Sequence, residues 1–133
     1  LPPPHICYNN FMQFTESVEN YLEMIFILGN AKEEVHSVDI ANSMKFSRAS
    51  VSIALKKMRQ NNLVEIDENG HITLTAKGMT IALTVYEKHE IISSWLMSLG
   101  VNEKTAVEDA CRIEHVLSAD SFNAIKEFIK NRT

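Results

Sequence analysis

A chain of 133 residues has room for one compact domain or two small ones. Hydrophobic residues make up 45%, enough to bury a core, which excludes a disordered chain, and no apolar run approaches the ~20 residues of a membrane span. The formal net charge of −4 argues against a nucleic-acid partner if only the total is considered.

Its distribution argues otherwise. No acidic residue lies between Asp39 and Glu65, whereas Lys45, Arg48, Lys56, Lys57 and Arg59 all fall there. A basic island on an acidic protein suits one face that meets DNA and another that meets a cation, although an ordinary solvated helix face has the same composition. The opening Leu1-Pro2-Pro3-Pro4 has neither the basic head nor the apolar stretch of a signal peptide, so a cytoplasmic location is expected. In that compartment a disulfide between Cys7 and Cys111, far apart in sequence, is disfavoured.

Residues 1–14 read as an irregular arm, because consecutive prolines cannot enter a helix interior, and Met12 begins a stretch resembling an ordinary protein start. A first helix is predicted from about Glu16 to Leu28, with Val18, Tyr21, Leu22, Ile25 and Leu28 in one stripe, Thr15 or Ser17 as cap, and Gly29-Asn30 as the stop. Ser37 is expected to cap a short helix reaching Met44. Ser47 then caps a third helix to about Asn61, whose buried side is read as Ile53, Ala54, Leu55 and Met58. Leu63–Ile66 and His71–Leu74 are short and rich in branched residues, and Asn69-Gly70 between them signals a hairpin. Thr75 caps a long helix to Leu99, closed by Gly100, and Asn102 and Ser118 start two further helices.

The stretch from Val38 to Ser52 has the chemistry of a helix-turn-helix. Ala41 is small where two helices would cross, Phe46, Val51 and Leu55 fill the turn and inner face, and the second helix opens with hydrogen-bonding residues. Placed in a major groove of double-stranded DNA, Ser47, Arg48, Ser50 and Ser52 would lie near base edges, and Lys56 and Lys57, with Arg59, nearer phosphates. The hairpin becomes the wing of a winged helix. Its tip, Glu68-Asn69-Gly70-His71, has an acid where a base is usual, so little minor-groove contact is expected from it.

Cys111, Glu114 and His115 stand at i, i+3 and i+4, on one face of a helix. A thiol, a carboxylate and an imidazole there form half of a transition-metal shell. His89 on the long helix, and Glu23 and Asn20 on the first, could bring polar faces from three helices together. Each also has a plain reading: a small buried cysteine, a solvated acid, a helix histidine with a local partner.

Four segments resemble the diphtheria-toxin-repressor family of metal-dependent regulators, which includes the manganese transport regulators. They are Glu19–Glu23, Val38–Ser52, Ile72–Gly78 and Asp109–Ser118, and the likeness spans about residues 15–130. The last, Asp-Ala-Cys-Arg-Ile-Glu-His-Val-Leu-Ser, is the most specific and is similar to the metal helix of the iron-responsive branch. The resemblance implies a mainly α fold: a winged helix-turn-helix over 15–75, then a helical metal-binding and dimerisation domain over 76–133. It implies a homodimer, a DNA operator, and repression governed by iron(II) or manganese(II). Cys111, Glu114 and His115 match metal ligands of the family, Glu23 a carboxylate of the manganese branch, and His89 a histidine of both.

Asn20 departs from the pattern, standing where methionine or aspartate is usual. Ser93 and Val107 stand where the iron branch has ancillary ligands, so that second site is not expected in full. Two other function classes fit parts of the sequence. Cys-x-x-Glu-His is reminiscent of a zinc-protease motif with one ligand changed, without any nucleophile motif beside it. A winged-helix regulator that answers to a small organic ligand, or to no metal, fits the first half equally well.

Overall fold

The computed structural model describes residues 14–132; the arm expected over residues 1–14 lies, apart from Phe14, outside them. The elements are α1 (Phe14–Ala31), α2 (Ser37–Met44), α3 (Arg48–Gln60), β1 (Val64–Ile66), β2 (Ile72–Leu74), α4 (Ala76–Ser98), α5 (Glu103–Val116) and α6 (Ala119–Lys130). They group into two compact units that divide within α4, between Thr84 and Val85.

In the first unit, α1 buries Tyr21, Leu22, Met24 and Ile25. It runs through Gly29-Asn30 to Ala31, past the predicted stop at Leu28. A glycine ends a helix by adopting a left-handed conformation, and Gly29 is not among the positive-φ residues. α2 starts one residue earlier than its predicted cap implied. His36 is the N-cap, Ser37 is already helical, and the Asp39 carboxylate accepts the His36 backbone N–H at 2.9 Å. The turn into α3 uses Lys45 in the left-handed region (φ 58°), and the Phe46 N–H donates to the Ala41 carbonyl at 3.1 Å. The Phe46 ring lies 5.8 Å from that of Tyr21, tilted by 60°, which ties the turn to α1.

Ser47 caps α3, its hydroxyl oxygen accepting the Ser50 N–H at 3.1 Å. The buried side of α3 is Val51, Leu55 and Met58, as expected for those three, while Ala54 is only half-buried. Ile53 points outward and is 60% exposed.

β1 and β2 pair antiparallel in the register Val64↔Leu74, Glu65↔Thr73 and Ile66↔Ile72. The connection is longer than a two-residue Asn-Gly turn. The Gly70 N–H donates to the Asp67 carbonyl, Gly70 has φ 82°, and the Asp67 N–H donates to the His71 carbonyl, which is a three-residue loop closed by a left-handed glycine. The Asp67 carboxylate folds back to accept the N–H groups of Asn69 and His71, both at 2.9 Å. The Ile72 N–H donates to the Val35 carbonyl at 2.8 Å and fastens the hairpin to the segment before α2.

The first turn of α4 is pinned to the chain just before β1. The Thr75 hydroxyl donates to the Asn62 carbonyl at 2.7 Å and accepts the Gly78 N–H at 3.1 Å. In the second unit, Gly100 (φ 101°) closes α4, and Asn102 and Ser118 cap α5 and α6 as the sequence predicts. Ile92, Ala110 and Phe122 form its core, one from each helix, with Ile91, Leu96, Ile113 and Leu117 against them.

Candidate metal centre and nucleic-acid interface

α5 sets three donors on one face because their spacing is one helical turn. A Cys111 sulfur, a Glu114 carboxylate oxygen and a His115 ring nitrogen lie within 4.8 Å of one another. The carboxylate of Glu114 is the hub: its Oε1 is 3.5 Å from His115 Nε2 and its Oε2 is 3.5 Å from His89 Nδ1 on α4. All four side chains are buried, with His89 at 3% and Glu114 at 1% side-chain exposure. On α4, Ser93 donates to the His89 carbonyl at 2.7 Å, so its hydroxyl is engaged with the turn that holds His89.

A sulfur, a carboxylate and an imidazole within reach of one another, with a second imidazole on the same carboxylate, fit a first-row divalent cation, and packing alone does not call for such a set. Glu23 and Asn20 lie on α1, in the other unit, at 1% and 0% exposure. They are three residues apart and thus on one helix face. The structure records Cys111 as disulfide-bonded, contrary to the reduced thiol expected from sequence. Cys7 lies outside the described residues. Separation along the chain does not decide whether two sulfurs meet in space, and coordination by Cys111 requires the reduced form.

α3 presents the basic island. It holds Arg48, Lys56, Lys57 and Arg59, no acidic residue, and all four are exposed. Ser47 and Ser50 are exposed too, but their hydroxyls are hydrogen-bonded to each other at 2.9 Å and serve the cap. Ser52 is exposed farther along. The hairpin tip is acidic, as expected, and Asp67 is held below the usual carboxylate range by the backbone N–H of His71 foremost and that of Asn69.

Two sequence models cover nearly all of this chain. That of the iron dependent repressor N-terminal DNA binding domain matches residues 13–72, and that of the iron dependent repressor metal binding and dimerisation domain matches residues 75–133. The chain belongs to the iron-dependent repressor family. Its first half is the DNA-binding domain of these repressors and its second half their metal-binding and dimerisation domain. An uncharacterized HTH-type transcriptional regulator of Methanocaldococcus jannaschii is 31% identical over 118 residues, 87% of this chain and 94% of that one. The transcriptional regulator MntR of Escherichia coli is 31% identical over 113 residues, 85% of this chain and 73% of that one. Among solved structures, the manganese regulator SloR superposes with a TM-score of 0.76 at 31% identity, over 85% of this chain and 53% of that one. The chain thus spans about half the length of that structure. Among the described residues, no helix of this repressor is long and apolar enough to cross a membrane.

Of the site residues expected from sequence, the second unit brings His89, Cys111, Glu114 and His115 together. Glu23 and Asn20 share a face of α1, and Arg48, Ser52, Lys56 and Lys57 are exposed along α3. Sequence reasoning misplaced Ile53. The signal was present: at about 100° per residue, a position two after the buried Val51 faces about 200° away.

Proposed function

We propose that this repressor is switched by iron(II) or manganese(II) held by His89, Cys111, Glu114 and His115, with Glu23 and Asn20 of α1 completing the ligand set. The observation that supports this most is the buried cluster around Glu114, in the same chain as an exposed basic recognition helix. Bound there, a divalent cation supplies the positive charge that offsets the carboxylates. Glu114 positions both imidazoles through its two oxygens. His89 and His115 supply neutral nitrogen donors, which fix the cluster's face of α4 to its face of α5. Glu23 brings a second carboxylate from the helix against which the helix-turn-helix is built, so its engagement biases the orientation of the DNA-binding unit.

Two such chains, joined through their second units, form a homodimer that offers two α3 helices to successive major grooves, about 34–36 Å apart. Metal then acts by population shift. It favours the arrangement it binds more tightly, by no more than that difference in affinity. The chain works by binding in the cytoplasm and not by catalysis. Ser52 and Arg48 act near base edges, Ser47 and Ser50 at the start of α3, and Lys56 and Lys57 at phosphates.

Anaerobic titration of the reduced, metal-free protein with iron(II), manganese(II), cobalt(II) and zinc(II), reading affinity for a promoter fragment upstream of its own gene by anisotropy, tests the reading. A gain of about tenfold or more (~1.4 kcal/mol) is expected with the effector. Replacing Glu114 and His115 by alanine removes that gain, and metal dependence that survives in the double variant refutes the assignment.

A further inference from the structure

Ile53 stands in the middle of a helix whose neighbours do not explain it. It is 60% exposed, while Val51, Leu55 and Met58 of the same helix are buried. Ala49, Ser52 and Lys56 lie at i−4, i−1 and i+3 from Ile53, and all are exposed. The four together make one outward strip with a small apolar residue, a hydroxyl, a large apolar residue and a base. Single exposed apolar residues are common and need no explanation alone. This one is flanked by Arg48, Lys56, Lys57 and Arg59 with no acid anywhere on the helix, which selects a polyanion as the occupant of the face.

We propose that Ile53 is a specificity-determining residue that reads thymine through its 5-methyl group in the major groove, with the Ala49 methyl lining the same contact. The proposal rests on the DNA-binding reading of this family and goes beyond it by naming the base. In the major groove only a T·A pair offers an apolar group on its edge, and an isoleucine has no hydrogen-bonding atom with which to read any other feature. Ser52, one residue away, offers a donor and an acceptor to an adjoining base. Ile53 thus favours thymine and excludes a pair that would leave a polar edge desolvated against its side chain.

The test uses the full chain loaded with the cation that gives the highest affinity in the titration above. Binding sites are selected from a random-sequence duplex library. Each thymine of the selected site is then replaced in turn by deoxyuridine, which lacks only the methyl. At one or more positions per half-site the wild type should lose about fourfold in affinity, the scale of one methyl removed from an apolar contact. Ile53→Ala, a change at an exposed position with the fold checked by circular dichroism, should show no loss at the same positions. A selected site insensitive to deoxyuridine, or an equal loss in the Ile53→Ala protein, overturns the proposal and leaves the DNA-binding reading standing. An Ile53→Ala protein that changes its association state while keeping the deoxyuridine loss would assign the face to a protein contact instead. If no sequence is enriched, the DNA-binding reading fails and takes the proposal with it.

Discussion

Two glycines in helices should respond to the same substitution with opposite signs. A β-carbon built on Gly78 would sit 2.0 Å from the Leu63 carbonyl oxygen and 3.0 Å from its carbon. Carbon and carbonyl oxygen do not normally approach closer than about 3.3 Å. The first turn of α4 must therefore move by roughly 1.3 Å from a backbone group that cannot rotate away. That movement stretches the Thr75 N–H bond to the Leu63 carbonyl (3.1 Å) and the Thr75 hydroxyl bond to the Asn62 carbonyl (2.7 Å).

Overpacking of this kind costs ~1–3 kcal/mol, and two weakened hydrogen bonds add ~1 kcal/mol. Alanine's better helix propensity returns ~1 kcal/mol. Gly78→Ala should thus destabilise the protein by about 1–3 kcal/mol. Gly29, near the end of α1, has no atom within 4 Å of its built β-carbon, so Gly29→Ala keeps only the propensity term and should stabilise by ~0.5–1 kcal/mol. Urea denaturation of the metal-free proteins, followed by circular dichroism, reads both at once. The slopes should be unchanged, so that midpoints report stability. A Gly78→Ala protein as stable as the wild type would refute the claim that this contact is set by backbone against backbone.

Lys56→Ala and Lys57→Ala should each weaken binding to specific and random duplexes alike and lower the salt dependence of log affinity by about one unit, as loss of one phosphate contact does; a variant that loses affinity only for the specific site would move that lysine to the bases. Asp39 is held below the usual carboxylate range, first by its hydrogen bond from the Lys32 ammonium (2.6 Å) and then by the His36 backbone N–H, against a smaller opposing effect of burial. A depressed folded-state pKa gives stability that is present above the unfolded value of ~3.9 and is lost as pH falls through the lower folded value. Asp39→Asn should therefore be less stable at pH 7, by under ~1 kcal/mol for a pair this exposed, and the gap should close in acid; a gap that does not narrow below about pH 4 counts against the pairing.

The element order was legible because each boundary has a local cause. Ser47, Asn102 and Ser118 each accept an N–H three residues on, and residues of this type signal helix starts by that capacity. The misses arise where a residue type that usually marks a boundary is not used for it. Gly29-Asn30 has the composition of a helix end, yet α1 continues through it. Ser37 is a good cap by type, but Asp39 closes a capping interaction on the His36 N–H instead. The face of α3 was misread at Ile53 because hydrophobicity outweighed periodicity, and function sets hydrophobicity aside on a surface that meets another molecule. The donors of α5 were legible as a cluster because helical spacing alone brings them together. His89, 3.5 Å from Glu114, could be offered from sequence as one of several polar helix faces, but the spacing of residues 89 and 114 does not relate them, and the family resemblance was what matched it to a ligand.

On the proposed ligand set, the charges argue for a single cation. Glu23, Glu114 and a reduced Cys111 thiolate supply three negative charges, and the two imidazoles and the Asn20 amide supply none. One divalent cation leaves the buried group with a single negative charge, which the N–H groups of imidazoles and amide can solvate. Two divalent cations would leave the set positive, and Asn20 adds no charge to offset them where an aspartate would add one. The same substitution weights the choice of ion. A neutral carbonyl oxygen in place of a carboxylate weakens the hard half of the donor set, while the cysteine strengthens the soft half, so affinity shifts from manganese(II) towards iron(II) and the later metals.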